Sequence, residues 1–371
     1  MAMRVYLRPT GFLDSPFGLE GKAARLAGGL LWFAAVELVR MDGNRRAGTE
    51  LIPVDEVEQA IDGLPPLERD AAARAWAHIV APRAPIRFGE RVVRLDQPQV
   101  AAILNVTPDS FSDGGWSEGD PAFAADAGVA FAAAGAAIVD VGGESTRPGA
   151  KPVWEGDEIA RVLPVVERLA RSGTALSVDT RKAAVMEAAL AAAPVMINDV
   201  SALTYDPRSA EVIARARCPV VLMHHQGPPE TMQQSPHYDR PVLFEVYDWL
   251  EARIEAAVAA GIAREQILVD PGIGFGKTVQ HNLQLINGLA LLHGLGCAIM
   301  LGASRKRFIG ALSGEAPADQ RLGGSVALAL KGADQGAQLL RVHDVAETVQ
   351  AVRIWRGLRD AALTPDPGNQ V

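Results

Sequence analysis

Val100-Ala-Ala-Ile-Leu-Asn105, continued by Val-Thr-Pro-Asp-Ser-Phe-Ser-Asp-Gly-Gly115, decides how this chain is read. A short apolar run ends in an asparagine. The chain then opens into hydroxyls, two aspartates and paired glycines, a segment with no use in a hydrophobic core. The arrangement repeats along the chain. Strands are expected at Ala101–Asn105, Ala137–Val141, Ala175–Asp179, Val195–Asp199, Val220–His224, Ile267–Asp270, Ala298–Gly302 and Gln338–Val342. Alanine-rich helical segments separate them, for example Pro121–Ala134, Asp157–Arg171, Val242–Ala260, Val279–Leu292 and Val345–Arg359. The strands are apolar throughout rather than alternating, as expected where both faces of a parallel sheet are covered. Eight strand–helix units over roughly 260 residues predict an α/β fold, the (β/α)8 TIM barrel. An open doubly wound sheet would carry a GxGxxG turn after its first strand, and this turn is NVTPDSFSDGG.

Outward from the barrel the character changes. Ile86–Asp96 (IRFGERVVRLD) reads as a hairpin turning at Gly89-Glu90 and plugging the N-terminal mouth of the barrel. Residues 1–85 read as a small α+β extension. It has strands at Trp32–Arg40 and Arg46–Val54 joined through Met41-Asp42-Gly43-Asn44, and helices at Asp55–Asp62 and Leu67–Ile79. Ala81-Pro-Arg-Ala-Pro85 is the linker, 86–360 the barrel and 361–371 a flexible tail.

A net charge of −8 without a basic stripe argues against a nucleic-acid partner. Cys218 and Cys297 stand far apart, as thiols of a reducing cytosol do. The most apolar stretch, Leu26–Val39, is too short for a bilayer and contains Glu37. It also starts too deep for a signal peptide. A cytoplasmic protein without a membrane partner is expected.

Nearly every strand ends in polar groups: Asn105, Glu144 to Arg147, Asp179, Asn198-Asp199, His224, Asp270, Ser304 to Lys306, and Arg341 with His343. In a barrel these ends meet on the face where barrel enzymes keep their sites. Asp179, Asn198 and Asp270 suit a flat heterocycle with several N–H donors. Arg341, His343 and Asn105 suit an anion, with magnesium on hard oxygen ligands. No nucleophile motif and no zinc spacing is present. Asp270 to Thr278 (DPGIGFGKT) has Pro271 where a phosphate loop needs its first glycine, so its glycines are read as letting backbone approach a ligand, with Phe275 as an apolar wall. His224 is expected as a wall residue and Lys306 as a ligand contact. His225, His237 and His281 are expected to do nothing in the site.

Ile103 to Gly115, Val139 to Gly149 (VDVGGESTRPG), SVDT (Ser177–Thr180), INDV (Ile197–Val200), LMH (Leu222–His224), DPGIGFGK, SRK (Ser304–Lys306) and RVHD (Arg341–Asp344) together resemble, in order, the signatures of the dihydropteroate synthases. The resemblance covers about residues 86–360 and leaves 1–85 outside. It implies condensation of 6-hydroxymethyl-7,8-dihydropterin diphosphate with 4-aminobenzoate to 7,8-dihydropteroate and diphosphate, through a pterin carbocation, by a homodimer with sulfonamides as competitors. It further implies that Asp179, Asn198, Asp270, Phe275 and Lys306 hold the pterin. Asn105, Thr146, Arg341 and His343 would hold the diphosphate, with Asn105 on Mg2+. Phe111, Ser145, Thr146, Pro148 and Ser304 would shape the aminobenzoate side. Lys306, Arg341, His343, Asp113 and Arg147 would serve the chemistry. The opening loop would be a lid whose Asp113 meets Arg147. The rival readings are a corrinoid methyltransferase fed by methyltetrahydrofolate, which needs neither diphosphate site nor lid, and a non-catalytic pterin-binding module.

Overall fold

The computed structural model describes residues 3–107, 120–145, 152–227 and 231–364. The chain starts with a four-stranded antiparallel sheet: β1 (Arg4–Leu13), β2 (Ala24–Arg25), β3 (Trp32–Asp42) and β4 (Arg45–Pro53). Two of these were expected. β1 was not, because Pro9 and Gly11 weaken its strand propensity. Pairing along β3 from Arg4↔Met41 to Leu13↔Trp32 makes it a strand, and Pro9 is tolerated because β1 lies at an edge.

Helices α1 (Val57–Asp62) and α2 (Pro66–Val80) cover one side of the sheet. Leu7, Phe33, Val36 and Leu38 pack with Val57, Ile61, Ala72 and Ile79 there. This cluster also takes in Ala333 and Trp355 from the barrel's last helices, while Tyr6, Val39 and Met41 belong to the barrel's own core. Tyr6 stacks on Phe244 at 4.7 Å and its hydroxyl donates to Asp248 at 2.9 Å. The expected linker is tied down as well. The half-buried Arg83 donates through its guanidinium to the carbonyls of His78, Ala81, His293 and Cys297. The extension is thus docked on the barrel wall.

The hairpin β5 (Ile86–Phe88) and β6 (Arg91–Val93) leads into β7 (Gln99–Asn105), α3 (Pro121–Ala134), β8 (Ile138–Gly142), α4 (Glu155–Arg171), β9 (Leu176–Asp179) and α5 (Ala183–Ala192). Then follow β10 (Val195–Asp199), α6 (Ser209–Ala216), β11 (Val220–Met223), α7 (Val242–Ala259), β12 (Ile267–Asp270) and α8 (Val279–Asn287). β13 (Ala298–Leu301), α9 (Arg307–Leu312), α10 (Leu322–Ala333), β14 (Leu339–Val342) and α11 (Val345–Leu363) complete the chain. β7 to β14 pair in parallel and close into a barrel, the predicted fold. Several helices depart from expectation. Val279–Leu292 breaks at Gly288 into α8 and a 3-10 run, Leu289–Leu295. A short α9 was not anticipated. α11 runs to Leu363, into the expected tail, whose last residues 365–371 lie outside the described residues.

The strand period of two sorts the lumen into layers. Ile138, Met196, Leu268 and Leu339 meet Ile86, Phe88, Val93 and Leu95 of the hairpin, which closes the N-terminal mouth. Two residues further along the same strands stand Asp140, Asn198, Asp270 and Arg341. The intervening Val139, Ile197, Val269 and Leu340 belong to the core under the helices. An apolar floor therefore carries a polar layer facing the C-terminal mouth.

Candidate active site

The polar layer is built around one guanidinium. Arg341 donates through Nε to Asp140 Oδ2 at 2.6 Å and through Nη2 to Asp179 Oδ2 at 2.8 Å. Asp140 Oδ2 also accepts from Asn198 Nδ2 at 3.1 Å, which turns the amide so that Asn198 Oδ1 is left over. Asp140 Oδ1, Asp179 Oδ1 and Asn198 Oδ1 are buried and have no hydrogen-bond partner among the described residues. Each unmet buried acceptor costs about 1–3 kcal/mol, so three together call for donors from a ligand. Burial pushes the Asp179 carboxyl up to about 7, against the pull of Arg341 and with the help of Asp140's charge.

Beside this row, Asp270 Oδ1 accepts from the Gly272 N–H at 2.7 Å. Burial raises the Asp270 pKa, while that N–H, Lys306 and Arg341 oppose the rise. The glycine-rich segment curls as expected. Gly272 has φ +66°, and a Cβ on it would stand 1.8 Å from the His224 carbonyl oxygen, so only glycine fits. The curl sets Phe275 beneath Lys306, whose Nζ lies 4.1 Å from the ring centroid. Lys277 turns inward and donates to His224 Nδ1 at 2.9 Å and Phe275 O at 3.0 Å.

At the far side, Ser304 Oγ accepts from the His343 N–H at 3.2 Å and lies 3.1 Å from His343 Nδ1. The residue expected on the aminobenzoate side and the residue expected on the diphosphate side thus stand together. Arg305 turns to Asp344, with Nε 3.0 Å from Oδ2. Asn105 Oδ1 lies beside Gly142, 3.6 Å from where a Cβ on that residue would stand. Ser145 is half-buried. Phe111, Asp113, Thr146, Arg147 and Pro148 lie outside the described residues, and with them the expected Asp113–Arg147 contact.

Several strand-end groups have local duties instead. Glu144 accepts from the Val153 N–H at 2.8 Å and pairs with Arg181 and Lys182. Asp199 caps its own turn through Ser201 and Leu203. His281 is no idle surface group, since it closes a capping box with Thr278 at the start of α8. Two site residues were missed as such, Asp140 and Lys277. Asp140 carried a signal, a carboxylate two residues after Ile138 inside an otherwise apolar strand. Lys277 carried none beyond its place after three spaced glycines.

A closed parallel barrel whose C-terminal mouth offers buried acceptors, an aromatic wall and two cations is a barrel enzyme for a flat, donor-rich and anionic substrate. Residues 101–343 match the family described as pterin binding enzyme. The dihydropteroate synthase of Neisseria meningitidis serogroup B is 45% identical over 281 residues, 73% of this chain and 96% of that protein. That of Escherichia coli K12 is 46% identical over 261 residues, 70% and 91% of the two chains. Among solved structures, the Yersinia pestis dihydropteroate synthase with a sulfonamide drug superposes with a TM-score of 0.71 at 45% identity, covering 75% of this chain and all (100%) of that one. The Xanthomonas albilineans dihydropteroate synthase in complex with 7,8-dihydropteroate gives 0.67 at 44% identity, covering 74% and 99%. The chain belongs to the pterin binding enzyme family, and within it to the dihydropteroate synthases. The sheet β1–β4 with α1 and α2 lies before the matched residues.

Proposed function

We propose that the chain joins 6-hydroxymethyl-7,8-dihydropterin diphosphate to 4-aminobenzoate by losing diphosphate first and accepting the amine second. The observation that carries this reading is the row of unmet buried acceptors, Asp140 Oδ1, Asp179 Oδ1 and Asn198 Oδ1, beside Arg341. A pterin edge with amino and ring N–H groups supplies the donors that these oxygens lack, and Asp270 adds a further acceptor. Phe275 and Lys306 take the ring face and its carbonyl side. The electron-rich dihydropterin can delocalise the positive charge left on its methylene once the C–O bond to diphosphate breaks. Surrounding carboxylates favour that charge, and the amine nitrogen then forms the new C–N bond and gives up a proton. No covalent enzyme intermediate is required.

Arg341, His343 and Asn105 are assigned to the diphosphate, with Thr146 from the loop outside the described residues. Ser145 and Ser304, with Phe111 and Pro148, are assigned to the aminobenzoate, and Asp113 and Arg147 to closure over it. Magnesium fits this end as an ion carried by the diphosphate. Asn105 offers one hard oxygen, and among the described residues no group of three or more His, Cys, Asp or Glu could hold an ion alone. When bound, the ion would neutralise charge on the leaving diphosphate. Sulfonamides, one of which is held by the Yersinia relative, are proposed to compete with aminobenzoate. The reading includes a homodimer and a cytoplasmic location, the latter supported by two free buried cysteines. No described helix is long and apolar enough to cross a membrane. Diphosphate release from the dihydropterin diphosphate that depends on 4-aminobenzoate tests the reading. A corrinoid methyltransferase or a passive pterin binder would release none.

A further inference from the structure

We propose that Lys277 is a positioning residue for the pterin half of the reaction, acting through the glycine-rich loop without touching substrate. The inference rests on the reading above, which gives Asp270, Phe275 and Lys306 to the pterin. Lys277 is only 3% exposed, and its ammonium donates to Phe275 O and His224 Nδ1. An acceptor at Nδ1 makes His224 the neutral tautomer with its hydrogen on Nε2, the state that burial also favours.

His224 is a fixed post. Its N–H donates to Asp270 O at 2.9 Å, and its ring packs edge-on to Trp249 at 4.9 Å. The Gly272 backbone presses against its carbonyl. Lys277 ties the peptide of Phe275 to that post. Gly272, Gly274 and Gly276 all have positive φ, and the loop is held by several ties. These are Gly272 N–H to Asp270, Phe275 N–H to Gly272 O, Gly274 N–H to Asn282 Oδ1 and the Tyr238 hydroxyl to Gly276 O. The Lys277 ammonium adds the one that reaches the Phe275 carbonyl. Without it the Phe275 ring would leave its station under Lys306, and the substrate would have to supply the ordering itself.

The residue type carries the rest of the argument. Burying an ammonium is costly unless its charge is compensated, and a loop tie alone could use a neutral donor. Burial pushes the Lys277 ammonium down to about 7 and the Asp270 carboxyl up, and the opposite charges of the two side chains work against both shifts. Lys277 therefore fixes Phe275 and adds a charge that favours the ionised form of the Asp270 carboxyl, two contributions to the same half-site.

Steady-state kinetics of full-length Lys277→Met and Lys277→Gln, with the KM of each substrate measured separately, test this. Lys277→Met should raise the KM for pterin diphosphate about tenfold or more, as small misplacements do. The KM for aminobenzoate should change less than about twofold. Lys277→Gln, which keeps a donor for Phe275 O, should fall between Lys277→Met and wild type. A residue that merely stabilised the fold would lower the melting temperature and the active fraction but not this ratio. A pterin KM within about twofold of wild type in folded Lys277→Met overturns the proposal. Failure of both variants to fold even with pterin diphosphate present overturns it too, by making Lys277 a residue of the fold. Wild-type turnover measured alongside keeps the two claims apart. An inactive wild type refutes the functional reading and the proposal with it, whereas an active wild type with unchanged variants refutes only the role of Lys277.

Discussion

Arg341 Nη2 reaches from β14 past β7 and β8 to lie 2.8 Å from Asp179 Oδ2 on β9. Its Nε holds Asp140 on the way, so one cation offsets two buried carboxylates. The guanidinium's planar fork allows this, because two N–H directions diverge from one rigid group. Arg341→Lys would keep the charge and lose the fork. Turnover should fall roughly tenfold or more while pterin affinity changes less, as read from kcat against a direct binding titration. Equal losses in both would place the leaving-group site elsewhere.

The Asp179 carboxyl, pushed up to about 7 from 3.8, makes two opposed pH predictions. The folded protein binds a proton over that interval which the unfolded chain has released. Relative to Asp179→Asn, stability is therefore fully present below 3.8 and lost as pH rises through about 7. Urea titrations of both proteins at about pH 5.5 and 7.5 should show the wild type losing more on the rise. Pterin binding should run the other way and strengthen as the carboxylate ionises. An unchanged difference between the two proteins across that range would mean that Asp179 is already ionised in the fold.

Asp270→Ala should cost about 2–5 kcal/mol of pterin binding, the range for removing one partner of a buried charged hydrogen bond. The Gly272 N–H would also lose its acceptor. Isothermal titration with the pterin, giving a wild-type affinity, would remove Asp270 from the site.

Gly272→Ala adds a Cβ 1.8 Å from the His224 carbonyl oxygen, at φ +66°. The backbone must shift, at about 1–3 kcal/mol for the strained conformation alone. Thermal melting should fall, and pterin binding should weaken with it because Asp270 and Phe275 flank the glycine. A variant with an unaltered melting curve would show that the loop relaxes freely.

A chain beginning at Pro82 should retain the aminobenzoate-dependent release of diphosphate, since none of the assigned site residues precedes β7. It should lose solubility, because Tyr6, Val39 and Met41 no longer cover Phe244 and Tyr247. Circular dichroism showing a folded but inactive truncation would mean that the extension contributes to the active face.

The barrel was legible in the sequence because burial under helices leaves a mark in one dimension. Runs such as Val195-Met-Ile-Asn-Asp199 and Ile267-Leu-Val-Asp270 are apolar until they reach the mouth, and the period of two places Asn198 and Asp270 in the lumen. The hairpin plug and the placement of Asp179, Asn198 and Asp270 at the mouth were legible for the same reason. β1 was not, since its pairing with β3 lies some thirty residues away and Pro9 argues locally against a strand. Nor could the sequence place Ser304 against His343, or make Asp140 the group that orients both Asn198 and Arg341. Those relations run between strands that are distant in the chain and adjacent only after closure. Local chemistry determined which groups reach the mouth of the barrel. Which oxygens are left without partners there, and so what the site can accept, was decided by the side chains that closure brings within 3 Å or so of one another.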